Sequence, residues 1–413
     1  MNALLSQGVL RPARPGFRTA LRRRLLASTP FLFRILRRAW PIPGFGTFYA
    51  VTLHDDVREV FATDAVFGVP YAENLAVLPG SEPFFLGMAN TPQYHRQIAA
   101  MRRVIRLDDL DGLAHGVVAR TEAILAQAPG RVEVVDQMVR RVTFDILCPY
   151  FGVPAPTQGR LDVWATRLFE FQFVSTPGDE SLRREAEAIA PAFRDHIDAE
   201  IARRKQGGAA PADDVMARCL ALQAAGESGY SDVEIRTALL CMVVGGPPQP
   251  PMVVPQALEQ LLRRPEALAL AIDAARRDED DLLRRIVREA MRFDPLAPGL
   301  PRIALQDWVV ARGTARQKRI PKGATVLVAF ASAMMDDRRV PEPDRFDPYR
   351  MDHEYIHFGH AMHECFGRYI NGATLHMMLK PLLRRGRVRR AAGAEGHLTK
   401  NGPFAERLVV EFH

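Results

Sequence analysis

The 413-residue chain predicts a mainly α protein with a few small β-sheets. Three observations lead there. Apolar residues recur at helical spacing through the middle of the chain, from Leu110 to Arg264. Strand-like runs are few and short: Tyr49–Leu53, Trp308–Ala311, Ala324–Phe330 and Leu408–Phe412. The third is a cysteine, Cys365, within Phe358-Gly359-His360-Ala361-Met362-His363-Glu364-Cys365-Phe366-Gly367. An aromatic-glycine turn precedes it and a helix-like stretch, Arg368 to Leu383, follows, so the chain presents this sulfur from a loop at a helix N-terminus.

Composition bounds the class. Hydrophobic residues are 47% and charged residues 25%, ordinary for a soluble globular protein. At this length the chain buries a large share of its surface and can build a sizeable core. Cys148, Cys219, Cys241 and Cys365 stand in no paired spacing, which points to a reducing, cytoplasmic compartment with neither a disulfide framework nor a zinc site. The net charge of +7 has a location. Residues 1–54 hold nine arginines and no acid or lysine; without them 46 basic residues face 48 acidic ones. Residues 1–45 therefore read as a basic N-terminal segment, in which Arg22-Arg23-Arg24, Arg34, Arg37 and Arg38 interleave with Leu25, Leu26, Phe31, Phe33, Ile35 and Leu36. No apolar run there approaches the roughly 18 residues of a spanning helix, and the arginines cut the stretches a secretory leader would need. Three readings stand: a helix peripheral at a membrane surface, a dock for an acidic partner, or a solvated lead-in. Lys205–Ala212 reads as a loop by its Gly, Ala and Pro content. Nothing in the chain calls for a nucleic-acid partner.

The helix dipole and backbone N–H groups stabilise a thiolate placed like Cys365, and such a thiolate can serve as an axial ligand of haem iron. The alternative is a buried structural cysteine. Two further motifs bear on the choice. Glu289-Ala290-Met291-Arg292 puts a carboxylate and a guanidinium on one helix face at i, i+3, by itself an ordinary surface pair. Pro341-Glu342-Pro343-Asp344-Arg345-Phe346-Asp347-Pro348 is an irregular, proline-stiffened segment. In this order the three motifs resemble the cytochrome P450 family, whose haem-ligand loop is F-G-x-G-x-[HR]-x-C-x-G; Ala361 replaces the second glycine.

The resemblance covers nearly the whole chain. Val51–Val60 resembles the family's first strand and following helix. Ile320-Pro321-Lys322-Gly323 resembles the turn before the strand Ala324–Phe330, and Pro403–Val410 resembles the final hairpin. The resemblance implies a cytochrome P450 fold over residues 46–413, a helical domain with small β-sheets enclosing haem b. It implies Cys365 as the iron ligand, Phe358 beside the haem, and a buried ion network of Glu289, Arg292 and Arg345 behind it. His95, Arg302 and His363 would hold the propionates. It also implies a pocket for a lipophilic small molecule from Pro70–Phe85, Leu168–Phe173, Val243–Gln249, Leu296–Leu300 and Gly402–Phe404, stretches that are mostly apolar.

One segment departs from the family. Ser231-Asp232-Val233-Glu234 is a capping box, and Ile235–Val244 continues as an apolar helix. The family then carries A-G-x-[DE]-T-T, whose acid and alcohol deliver protons. Here the stretch is Gly245-Gly246-Pro247-Pro248-Gln249-Pro250-Pro251, with Pro248 at the acid position and Gln249 and Pro250 at the alcohol positions. Four prolines in five residues cannot all sit inside a regular helix, so the helix is expected to open between Gly245 and Pro251 and resume before Gln256. Gln249 carries the only side chain there able to hydrogen-bond. It is expected to face the haem's open side, where an amide orients an oxygen atom but relays protons poorly, or else to cap the broken helix. Smaller departures are Ala99 and Met335, each where the family often has arginine, and Gly372 and Thr374 behind Cys365, where an arginine and a glutamate are usual; the last two lie on the side where a reductase commonly docks and weaken the case for a ferredoxin or reductase partner. Three functions stay open: a monooxygenase-type oxidoreductase, a peroxide-using peroxygenase or hydroperoxide isomerase/dehydratase, and a non-catalytic haem-binding accessory protein. Plant and fungal relatives that rearrange fatty-acid hydroperoxides also depart in this helix, with an amide near the iron.

Overall fold

The computed structural model of the protein describes residues 29–80, 82–174, 179–207 and 213–413. Arg22-Arg23-Arg24 and the rest of the basic segment up to 28 lie outside the described residues, as do 208–212 of the expected loop. The chain divides into two compact units. Of the described residues, one holds those of 71–124 and 136–251; the other holds 29–70, 125–135 and 252–413.

The first unit is helical because its sequence supplies helix starts at the needed places. Thr91 accepts from the Tyr94 N–H at 3.2 Å, with Pro92 at the first helical position of Pro92–Val104. Asp179 accepts from the Leu182 N–H at 3.1 Å to open Glu180–Lys205, and Asp214 from the Ala217 N–H at 2.8 Å to open Val215–Ala224. Ser231 and Glu234 form the expected capping box at the head of Asp232–Gly245. That helix is buried from Thr237 to Val244 without a polar face, as the core helix of its unit must be, and it packs on Leu161–Phe173 and Glu180–Lys205.

The second unit is built on a five-stranded sheet ordered Gly44–Phe45, Phe48–Val51, Thr325–Val328, Leu300–Ala304, Phe67–Gly68. Phe48–Val51 runs parallel to Thr325–Val328, with Phe48 opposite Thr325; the other pairs are antiparallel. Val326 and Val328 are buried while Thr325 and Leu327 are half-buried, the period-two signature of one face on a core. That core gathers Val51, Val57, Val60, Phe61, Val326, Val328 and Phe330. Arg131–Glu133 interrupts the middle of the chain that apolar spacing assigned to helix. It is a strand because Val132 pairs with Val410 of Val409–Phe412, a partner 278 positions away that no local pattern reveals. Helices Pro265–Arg276, Asp280–Phe293 and Arg368–Arg384 pack against one another in this unit.

Candidate active site

The Cys365 loop is closed by its own backbone. The Cys365 N–H donates to the Phe358 carbonyl at 2.8 Å, and the Glu364 N–H to the Ala361 carbonyl at 3.0 Å. Gly359 (φ 78°) and Ala361 (φ 61°) both take left-handed conformations, so Ala361 keeps the backbone that a glycine would adopt freely. Gly367 then caps the helix Arg368–Arg384; a Cβ on it would lie 3.8 Å from Cys365 Sγ. The sulfur thus sits at a helix start. Burial pushes its thiol up to about 11, against the backbone N–H of Gly367, which pulls it down. A desolvated thiol of this kind ionises when a metal cation takes the proton's place. The other cysteines differ: Cys148, Cys219 and Cys241 lie inside helices, are more deeply buried, and have thiols that burial pushes higher. A soft, half-buried sulfur at a helix N-terminus fits the thiolate ligand of a haem iron; the other three do not.

Behind this loop lies a buried ion network. Arg292 Nε and Nη2 donate to the two oxygens of Glu289 at 2.9 and 2.7 Å, and neither side chain is exposed. Glu289 also accepts from Arg350 Nε at 3.2 Å, the Asp347 N–H at 3.0 Å and the Tyr355 hydroxyl at 3.0 Å. Arg350 in turn donates to Glu354 at 3.2 Å, so two guanidiniums balance two carboxylates. Arg345 does not join through its side chain. Its guanidinium is exposed and pairs with Glu342 at 3.2 Å, while its carbonyl accepts from Arg292 at 3.2 Å and Arg350 at 3.0 Å. The turn closed by the Arg345 N–H on the Glu342 carbonyl directs main chain, not side chain, into the network. Arg350, five positions on, supplies the second guanidinium; nothing in the proline segment marks it. Met335, at the position of the family's arginine, accepts from Arg292 through Sδ at 2.9 Å.

Arg302 is buried on strand Leu300–Ala304, where Nη1 donates to the Pro301 carbonyl at 3.0 Å and the guanidinium stands 5.1 Å from the Phe61 ring centroid. Burial, then the Arg302 charge, draws His363 down to about 4. The Arg302 charge thus acts on His363, leaving a cation and a neutral imidazole at pH 7. Phe358 is half-buried in the ligand loop. His95 belongs to the first unit; it is exposed at the start of Pro92–Val104, with Nε2 2.7 Å from Asn90 Oδ1.

Gln249 also belongs to the first unit. Helix Asp232–Gly245 stops where the prolines require, and the next helix is Pro250–Leu262. Pro247 and Pro248 occupy the turn and offer no N–H to the carbonyls of Val243 and Val244. Pro250 and Pro251 open the second helix, where a missing N–H costs nothing. The Gly246 N–H reaches Met242 at 2.9 Å, and the Gln249 N–H falls one residue short of a helical bond, on Gly246 at 3.1 Å. Gly245 would thereby lose its donor, and the Gln249 side-chain amide supplies one through Nε2. In this geometry Gln249 caps the broken helix.

The family profile described as Cytochrome P450 matches residues 161–403. The chain is 26% identical over 255 residues to the mycinamicin IV hydroxylase/epoxidase of Micromonospora griseorubida, a match that spans 61% of this chain and 59% of that enzyme. It is 33% identical over 136 residues to a bifunctional dioxygenase–epoxy alcohol synthase of Pyricularia oryzae, covering 33% of this chain and 12% of that protein. Among solved structures, CalO2 shares the fold with a TM-score of 0.80 at 22% identity, covering 94% of this chain and 97% of that one. With the matched profile spanning more than half of its residues, this chain belongs to the cytochrome P450 family, whose cofactor is haem b.

Proposed function

We propose that the protein is a haem-thiolate oxidoreductase acting on a lipophilic small molecule, with Cys365 as the thiolate ligand. The observation that carries this reading is the desolvated Cys365 sulfur at the start of Arg368–Arg384, with the Glu289–Arg292–Arg350 network in the same unit. Arg302 would bind a propionate as a cation and His363 as a neutral donor, with His95 as a third partner and Phe358 against the macrocycle. When bound, haem supplies the redox chemistry. The chain's own part is to hold that group, exclude water around an apolar guest and position protons. Between Gly245 and Pro251 no side chain titrates near neutral pH, so proton delivery does not come from a side chain of this segment. Electrons would come from a ferredoxin-type or reductase partner, as family members usually receive them.

A second reading takes oxidising equivalents from a peroxide or a substrate hydroperoxide, which needs neither a proton relay nor a reductase. It is favoured by Pro248 and Gln249 standing where the acid and alcohol belong, and by the partial match to a fungal epoxy alcohol synthase. The deciding experiment begins with a spectrum of the haem-loaded protein reduced under carbon monoxide. Turnover of lipophilic candidates is then compared with peroxide alone and with NAD(P)H plus a surrogate ferredoxin system. Coupled turnover with the electron chain supports the first reading, and turnover with peroxide alone the second. A thiolate spectrum with neither activity makes the protein a haem-binding accessory.

A further inference from the structure

We propose that the helix Thr29–Ala39, together with the hairpin Gly44–Phe45/Phe48–Val51, is a docking surface for an anionic lipid bilayer. The described residues carry twelve exposed large hydrophobic side chains, and six of them, Phe31, Leu32, Ile35, Trp40, Phe45 and Phe48, fall between positions 31 and 48. Such a concentration differs from the scattered apolar exposure of an ordinary surface. Phe31 at 69% and Phe45 at 67% exposure are its extremes.

The helix has two distinct sides. Phe33 is buried, and Arg37 reaches the Ser332 carbonyl at 3.3 Å and hydroxyl at 3.1 Å, so that side is committed to the fold. At 100° per residue the opposite side carries Phe31, Ile35 and Leu32 across roughly a quarter-turn, with Arg38 and Arg34 along one edge. Trp40 follows the helix and meets the Phe45 ring edge-on at 5.1 Å, tying the helix to the hairpin. Arg34 and Arg38 are exposed.

Charge selects the occupant. No acidic residue occurs between positions 1 and 54, and residues 1–28 add six further arginines. The carboxylates that act on the helix, Asp336, Asp337 and Asp344, do so at Arg37, on the committed side. An apolar face bordered by arginines, with no acid, matches the boundary between anionic headgroups and acyl chains. No helix among the described residues is long and apolar enough to cross a membrane, so the contact is one of lying on the surface.

The test uses the full-length haem-loaded protein in vesicle flotation, with phosphatidylcholine alone and with phosphatidylcholine containing phosphatidylglycerol. The expected result is flotation with the phosphatidylglycerol vesicles, weakened at 0.5 M salt. Phe31→Ser/Ile35→Ser and Arg34→Glu/Arg38→Glu should each reduce it by about tenfold, with the haem spectrum unchanged. If either variant lost its spectrum, Phe45→Ser/Phe48→Ser on the hairpin would decide. Absence of flotation overturns the proposal. So does flotation indifferent to the apolar substitutions, which would assign binding to the arginines of residues 1–28. A dimer in sedimentation that Phe31→Ser/Ile35→Ser dissolves would also overturn it, by giving this face to a second copy of the chain.

Discussion

Two regions of this molecule respond to altered sequence in opposite ways. Around Cys365 the loop keeps its turn although Ala361 stands where the family has a glycine, taking that residue's left-handed backbone, and the buried Glu289 is met by the guanidinium of Arg350 and not by that of Arg345. Between Gly245 and Pro251 the pattern is changed and the geometry changes with it, the helix parting into Asp232–Gly245 and Pro250–Leu262. The difference lies in what each region demands. A buried carboxylate needs a donor at hydrogen-bond distance and is indifferent to which residue delivers it. A helix ladder needs an N–H at each successive position, and proline removes it. The loop proposed to hold the cofactor thus keeps its shape around a substituted residue, while the segment that in the family moves protons is rebuilt.

The largest effect that could break this comparison is at Cys365. Cys365→Ala should abolish the thiolate-type spectrum of the carbon monoxide complex, because Cys148, Cys219 and Cys241 lie inside helices; a band at its usual position in the variant would refute the assignment. Next, Glu289→Ala or Arg292→Ala should cost about 3–5 kcal/mol by stranding a buried charge, with soluble haem protein lost accordingly. Arg345→Ala should leave the melting temperature unchanged, and an equal loss there would restore its side chain to the network.

Third, the region around Cys365 should be acid-labile. Burial draws His376, on Arg368–Arg384, down to about 4. The unfolded chain takes up that proton near pH 6.5 and the folded one only near 4, so stability is full above pH 6.5 and falls as pH drops through this window. The loss is on the order of 3 kcal/mol. His376→Gln should flatten the dependence of melting temperature on pH between 6.5 and 4, and an unchanged slope would show that other groups set it. Smallest is Gln249→Leu. Losing the cap on Gly245 should cost about 1 kcal/mol with the haem spectrum intact. If turnover by peroxide also falls, the amide acts on the reaction as well as on the helix; efficient NADPH-driven turnover indifferent to the change would leave it a cap alone.

Much of this was legible in the sequence because its cause is local. The capping box at Ser231, the proline break and the loop before Arg368 follow from residues a few positions apart. The strand runs near Tyr49, Trp308, Ala324 and Leu408 also lie where alternation placed them, within a residue or two at their ends. What was not legible depends on distant partners. Arg131–Glu133 is a strand by virtue of Val409–Phe412, and Arg350 enters the ion network because a turn at Glu342–Arg345 faces its carbonyl inward. An arginine at Tyr349-Arg350 looks like any surface arginine until that turn is known. The amide of Gln249 had two open uses in sequence, and the cap is the one that rests on a lost donor, that of Gly245, which sequence spacing alone does not reveal.

The break has one more consequence, in its balance of donors and acceptors. From Gly245 to Pro251 there are seven carbonyls but only three backbone N–H groups, at Gly245, Gly246 and Gln249. Gly246 and Gln249 spend theirs on the carbonyls of Met242 and Gly246, and the Gln249 amide reaches back to Gly245. Gln249 and Pro250 have their carbonyls met by the helix Pro250–Leu262, so the shortage of donors falls on the carbonyls that face a proline four residues on, those of Val243, Val244, Pro247 and Pro251. A guest brought against those carbonyls would meet acceptors in place of donors, an arrangement suited to a molecule that carries an O–H or N–H of its own.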